Sequence, residues 1–121
     1  MPCVIRRYNP NRKQKAVPVA DCIFCKDLPK VLENELAYAL YDIKPQSKGH
    51  MLFIPKRHHE TVFQSTPQEI NAIFELINKA KDMLDTEHKP DGYNVQANCG
   101  SVAGQIVMHA HVHLIPRYKN V

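Results

Sequence analysis

Met108-His109-Ala110-His111-Val112-His113-Leu114-Ile115-Pro116-Arg117 alternates imidazole with apolar side chains at a spacing of two. Successive side chains of an extended strand point to opposite sides. The spacing therefore predicts a final strand, from Ile106 to Pro116, with His109, His111 and His113 on one face and Met108, Ala110, Val112 and Leu114 turned to a core. With seven histidines in 121 residues, random placement gives a His-x-His-x-His about once in 50 such chains. A merely polar face needs no imidazole, since threonine or a charged residue serves it as well.

Two chemistries suit such a row. A metal can take an i, i+2 pair, but three rings spread over about 13 Å of strand do not converge easily on one ion. Phosphate chemistry fits better, because an imidazole exchanges its proton near neutral pH and can be a nucleophile, an acid or a hydrogen-bond donor to anionic oxygen.

Working outward, Thr66-Pro67-Gln68-Glu69 is a capping box with proline at the first helical position. Ile70, Ile73, Ile77, Ala80 and Leu84, with Phe74 widening the stripe, give the helix one apolar face, and the helix ends by His88, whose ring meets the negative end of the dipole. Strands are predicted over Leu36–Asp42, Met51–Ile54 and from Gly92 through Ala97. Turns are predicted at Lys44–Gly49 and Asn98–Gly100, and a turn or short helix at Asp21–Cys25. The order argues for an α+β fold: an antiparallel sheet of about five strands with one main helix packed on a face.

A chain of 121 residues and 13.9 kDa, 44% hydrophobic and 23% charged, has the size and usage of one folded domain and not the signature of disorder. The formal charge of +4 is uneven. Residues 1–20 carry Arg6, Arg7, Arg12, Lys13 and Lys15 without an acid, which leaves the rest near neutral and divides the chain into a basic arm (1–20) and a domain (21–121). An arm of this size is read as solvated, so no nucleic-acid partner is expected. Without a spanning segment or an apolar leader, the expected place is the cytoplasm, with no membrane partner. There Cys22-x-x-Cys25 points to metal or redox chemistry, whereas Cys3 and Cys99 have no partner pattern.

His109-Ala110-His111-Val112-His113-Leu114-Ile115 resembles the signature of the histidine triad family of small nucleotide hydrolases and transferases. The resemblance extends to Cys22-Ile23-Phe24-Cys25, Tyr41-Asp42-Ile43, Gly49-His50 through Ile54-Pro55-Lys56-Arg57-His58, and Asn98 through Gly104-Gln105, in the same order. It implies cleavage at the α-phosphorus of nucleoside phosphoramidates or dinucleoside polyphosphates through a nucleotidyl-histidine intermediate, with release of a nucleoside monophosphate. His111 matches the nucleophile, whose other nitrogen carries a proton and donates it in a hydrogen bond to the main-chain carbonyl of His109. His113, His50, Asn98 and Gln105 match groups that hold phosphate oxygens or the leaving group. Asp42 matches the carboxylate on the ribose diol, and Ile23, Phe24, Leu40 and Ile43 match the apolar base pocket for a purine nucleotide. The resemblance also implies a homodimer and, as in some bacterial members, a structural zinc held by Cys22, Cys25, His58 and His109, with His59 as the alternative ligand.

The sequence departs from the family pattern at Ile106, where a hydroxyl residue is common. Isoleucine cannot donate a proton, which weakens the case for a poor amine leaving group more than for a stable phosphate one. Two other readings compete: a nucleotide-binding or scaffolding module with residual catalysis, and a hydrolase whose zinc is catalytic.

Overall fold

The computed structural model describes residues 21–119, so the basic arm lies outside the described residues. The element order is β1 (Leu32–Glu33), β2 (Ala37–Tyr41), β3 (Met51–Pro55), α1 (Pro67–Glu87), β4 (Gly92–Gln96) and β5 (Val112–Arg117), with short 3-10 turns at Ile23–Cys25, Val62–Gln64 and Ser101–Ala103. All pairings are antiparallel, in the order β1-β2-β3-β5-β4. The α+β architecture is as expected.

One sheet face packs on α1. Ala37, Ala39, Met51, Phe53, Val112 and Leu114 meet Ile73, Leu76, Ile77, Ala80 and Leu84. The helix begins as its capping box requires: Glu69 N–H donates to Thr66 Oγ1 at 3.1 Å, and Thr66 N–H donates to Glu69 Oε1 at 2.8 Å, a cap that contributes about 1 kcal/mol. Leu76, not Phe74, completes the buried stripe. Phe74 is 45% exposed, because it sits one step around the helix from Ile73.

The opposite face carries a smaller cluster of Cys22, Phe24, Tyr38, Leu40, Leu52 and Ile54. His113 pairs directly with Leu52, and directly paired residues share a face. The imidazole side of β5 is therefore the face away from the helix. β1, which no alternation in the sequence announces, borders β2.

The last strand is shorter than its periodicity predicts. β5 begins at Val112, so Ile106–His111 lies outside the sheet ladder. The reason is a competing tether. Ala110 N–H donates to the His59 carbonyl at 2.7 Å, and the Gln105 amide donates to the carbonyls of Glu60 at 2.6 Å and Val107 at 3.0 Å. Only His113 of the three histidines is a strand residue, and Met108 is half-buried instead of part of the core.

Candidate active site

Gly49 sets the entry to β3. Its φ of +91° suits glycine, and a Cβ there would meet Leu84 Cδ2 at 2.9 Å. The next residue, His50, is 2% exposed, and its carbonyl accepts from Asp42 N–H at 3.0 Å. Its Nδ1 accepts from the main-chain N–H of Gln46 at 3.0 Å. A neutral imidazole with an N–H donor against one nitrogen keeps its own proton on the other. His50 Nε2–H therefore donates to His113 Nδ1, 2.9 Å away, with Asp42 Oδ2 at 3.5 Å. His113 is left with its proton on Nε2, facing outward from the pair.

His111 is 7% exposed and its ring centroid lies 5.0 Å from that of His113. Its Nδ1 is 2.7 Å from the carbonyl oxygen of His109. A carbonyl only accepts, so Nδ1 carries the proton and Nε2 keeps a lone pair. Burial lowers the pKa values of His111 and His50, partly opposed in each by Asp42. Burial, then the neighbouring His111 and His50, bring His113 to about 4. At neutral pH the rings are uncharged, so the tautomers assigned above are the ones that matter. Such a group offers an unprotonated nitrogen beside an N–H donor, a pairing suited to attack on an anionic phosphorus centre.

A second cluster stands beside it. The ligand atoms of Cys22, Cys25, His58 and His109 all lie within 4.8 Å of one another. His109 Nδ1 is 3.4 Å from Cys22 Sγ, 3.5 Å from Cys25 Sγ and 3.1 Å from His58 Nδ1, and His58 Nδ1 is 3.1 Å from Cys25 Sγ. A tetrahedral ion with two thiolates and two imidazoles has ligand-to-ligand edges of about 3.3–3.8 Å. The contacts of His109 with the two thiols match these and those of His58, at 3.1 Å, are a few tenths shorter, so the donor set suits a metal ion with a small outward shift of His58. The far nitrogen agrees: His109 Nε2 donates to the Pro55 carbonyl at 2.7 Å, which turns the lone pair of Nδ1 to the cluster. Burial, then the adjacent Cys22, raise the Cys25 thiol to about 11; a bound cation reverses that preference. His58 enters the cluster and His59 does not. The His59 Nε2 lies 2.6 Å from Ser65 Oγ.

The remaining expected residues divide. Phe24 and Leu40 are buried in the smaller cluster, with the Phe24 ring edge-on to His111 at 5.1 Å, whereas Ile23 is 43% and Ile43 86% exposed. Asp42 Oδ1 accepts from Lys44 N–H at 2.9 Å. Asn98 Nδ2 reaches the Gly104 carbonyl at 3.4 Å. Gln105 is 4% exposed; its Oε1 accepts from Gly100 N–H at 2.7 Å, and its Nε2 is spent on main-chain carbonyls. In this arrangement Gln105 shapes the loop and does not point a donor outward. Ile106 is 90% exposed. A cavity of about 400 Å³ lined by Phe24, Cys25, Lys30, Tyr38, Lys56 and His58 lies against the cysteine cluster and not over His111. Sequence reasoning missed the Gln46 amide and the Pro55 carbonyl, which have no side-chain signature.

A HIT domain profile matches residues 26–120. "Protein hit" of Bacillus subtilis is 42% identical over 104 residues, covering 81% of this chain and 72% of that protein. Adenosine 5'-monophosphoramidase hnt1 of Schizosaccharomyces pombe is 39% identical over 102 residues, 79% of this chain and 74% of its own. Among solved structures, a HIT family protein from Bacillus anthracis superimposes with a TM-score of 0.77 at 40% identity, covering 83% of this chain and 75% of that one. With the rings of His111, His113 and His50 gathered on one face of this sheet, the chain belongs to the HIT, or histidine triad, family.

Proposed function

We propose that this protein is a nucleotide hydrolase that cleaves a bond at the α-phosphorus of a nucleoside phosphoramidate or dinucleoside polyphosphate and releases a nucleoside monophosphate. The observation that carries the reading is the 2.7 Å hydrogen bond from His111 Nδ1 to the His109 carbonyl, which leaves Nε2 free. The Nε2 lone pair attacks phosphorus, an N–P bond forms, and the leaving group departs with the electrons of its own bond to phosphorus, an amine taking up a proton from solvent and a phosphate needing none. Water then attacks the phosphorus and gives up a proton to solvent as the N–P bond breaks, restoring the lone pair. His113 Nε2–H donates to a non-bridging oxygen where charge gathers, and His50, held by Gln46, keeps that proton in place. Asp42 offers its carboxylate to the ribose diol, and Ile23 and Ile43 are exposed apolar surface for a purine. Relatives named adenosine 5'-monophosphoramidase support a phosphoramidate; the exposed Ile106, with no proton to give, favours a leaving group that needs none.

Zinc is the ion proposed for Cys22, Cys25, His58 and His109, where it would tie the N-terminal segment to the chain before β5. Four protein ligands leave no open position, so the role is structural and the chemistry stays with His111. Reduced cysteines suit the cytoplasm. The expected homodimer would use β4, an edge strand with Val95 48% exposed.

The test is turnover of adenosine 5'-phosphoramidate and of a diadenosine polyphosphate by wild type and His111→Ala, with mass spectrometry after quenching. A nucleoside monophosphate adduct on His111, and a loss of at least about a thousandfold in the variant, are expected. Tight nucleotide binding with no turnover of either compound would instead favour the binding-module reading.

A further inference from the structure

His109 belongs to both clusters at once. Its ring stands in the cysteine cluster, with Nδ1 3.4 Å from Cys22 Sγ and 3.1 Å from His58 Nδ1, and its carbonyl holds His111 Nδ1–H at 2.7 Å. The sheet does not orient that carbonyl, because β5 starts only at Val112. The supports around it run to the segments that carry the cluster: His109 Nε2–H to the Pro55 carbonyl, and Ala110 N–H to the carbonyl of His59, the residue after His58. His113, His50 and Asp42 are anchored differently, on β5 and at the facing ends of β2 and β3.

We infer that His109 is a positioning residue through which an ion at Cys22, Cys25, His58 and His109 holds the His111 ring in its Nδ1–H tautomer and aims Nε2. This rests on the reading of His111 as nucleophile. The physical route is short. An ion fixes the His109 ring, the ring and the Pro55 carbonyl fix the main chain at 109, and that carbonyl fixes the next imidazole but one. Emptying the cluster removes one of the two restraints on the ring and lets the carbonyl swing, while the groups proposed to bind ribose and phosphate keep their strand anchors. The loss therefore falls on kcat more than on KM.

The experiment compares the full chain loaded with one equivalent of zinc, the chelator-stripped chain, and the His58→Ala, Cys25→Ser and His58→Cys variants. Kinetics are normalised to the folded fraction from circular dichroism, and imidazole ¹⁵N–¹H spectra report the His111 tautomer without any turnover. Stripping and His58→Ala are each expected to lower kcat by about tenfold, with KM within about twofold, and to erase the Nδ1–H pattern of His111. Zinc return, and the thiolate of His58→Cys, restore both. Cys25→Ser, like His58→Ala, keeps three ligands, so in both variants kcat and the His111 spectrum are expected to follow the zinc occupancy measured for each, which gives a folded comparison should the stripped chain unfold. An unaltered His111 spectrum and unaltered kcat per folded molecule in the stripped chain, or in the zinc-free fraction of either variant, overturn the proposal. If wild type turns over no nucleotide, the nucleophile reading falls, yet the spectrum still decides whether the cluster sets the tautomer.

Discussion

Behind His109 stands a carbonyl, that of Pro55; behind His50 stands an amide, that of Gln46. Both rings sit in clusters with metal-ligand composition, Cys22, Cys25, His58 and His109 in one and Asp42, His50 and His113 in the other. The carbonyl accepts a hydrogen bond from His109 Nε2–H, which keeps the proton on Nε2 and leaves the Nδ1 lone pair aimed at the cysteines, as a metal needs. The amide sends the proton of His50 to Nε2, between His50 and His113, where an ion would have to displace it. Similar side chains thus form, in one place, a cluster that could hold a metal ion and, in the other, a hydrogen-bond chain, because of a single main-chain group behind each.

The contrast can be broken most directly at His113, the end of the chain of donors. His113→Ala is expected to lower kcat by about a hundredfold or more, with a smaller loss in His50→Ala, measured by single turnover on the same substrates. Wild-type rates in both would show that the donor chain carries nothing. On the metal side, Cys22→Ser should lower the melting temperature by roughly 10 °C, equivalent to about 2–3 kcal/mol. Zinc stoichiometry sharpens the comparison further: one ion per chain in wild type and still one in Asp42→Asn. A second equivalent that disappears with Asp42 would make both clusters metal sites.

The smallest effect concerns Arg57 and Glu69, which brace the chain just before His58. Glu69 is 4% exposed. Burial alone would raise its pKa, but the Arg57 guanidinium at 2.9 Å and the Thr66 amide outweigh that and hold it at about 2. A carboxylate whose pKa is depressed on folding contributes stability above its unfolded value, and that stability is lost as pH falls toward the folded one. Glu69→Gln should cost about 1–2 kcal/mol at pH 7, the figure reduced because Arg57 is half exposed. The difference from wild type should shrink between pH 4.5 and about 2. Urea unfolding of the two proteins at pH 7 and pH 3 checks this, and a pH-independent difference would rule out the ion pair as its source.

The helix was legible because its signals are local. Thr66, Pro67 and Glu69 satisfy the first turn by themselves, and the apolar repeat from Ile73 to Leu84 needs only a sheet to rest on. The runs that became β2, β3 and β4 were legible for the same reason. The alternation at 108–114 predicts more strand than forms, since β5 begins only at Val112. Periodicity reports which way side chains can point, but a ladder needs a partner, and β3 pairs β5 only between Phe53↔Val112 and Met51↔Leu114.

By itself, then, the sequence determined the residue types and their order: three imidazoles, a Cys-x-x-Cys pair, a capped amphipathic helix and the strands around it. The family resemblance implied that His109 joins the cysteines and that its carbonyl holds His111 Nδ1–H. Only the tertiary structure decided which main-chain groups fix the His109 and His50 rings, and so which nitrogen of His109, His50 and His113 carries a proton. The deciding groups are the carbonyl of Pro55 and the amide of Gln46. Every residue but proline has both groups, so no choice of side chain announces where the fold will aim them.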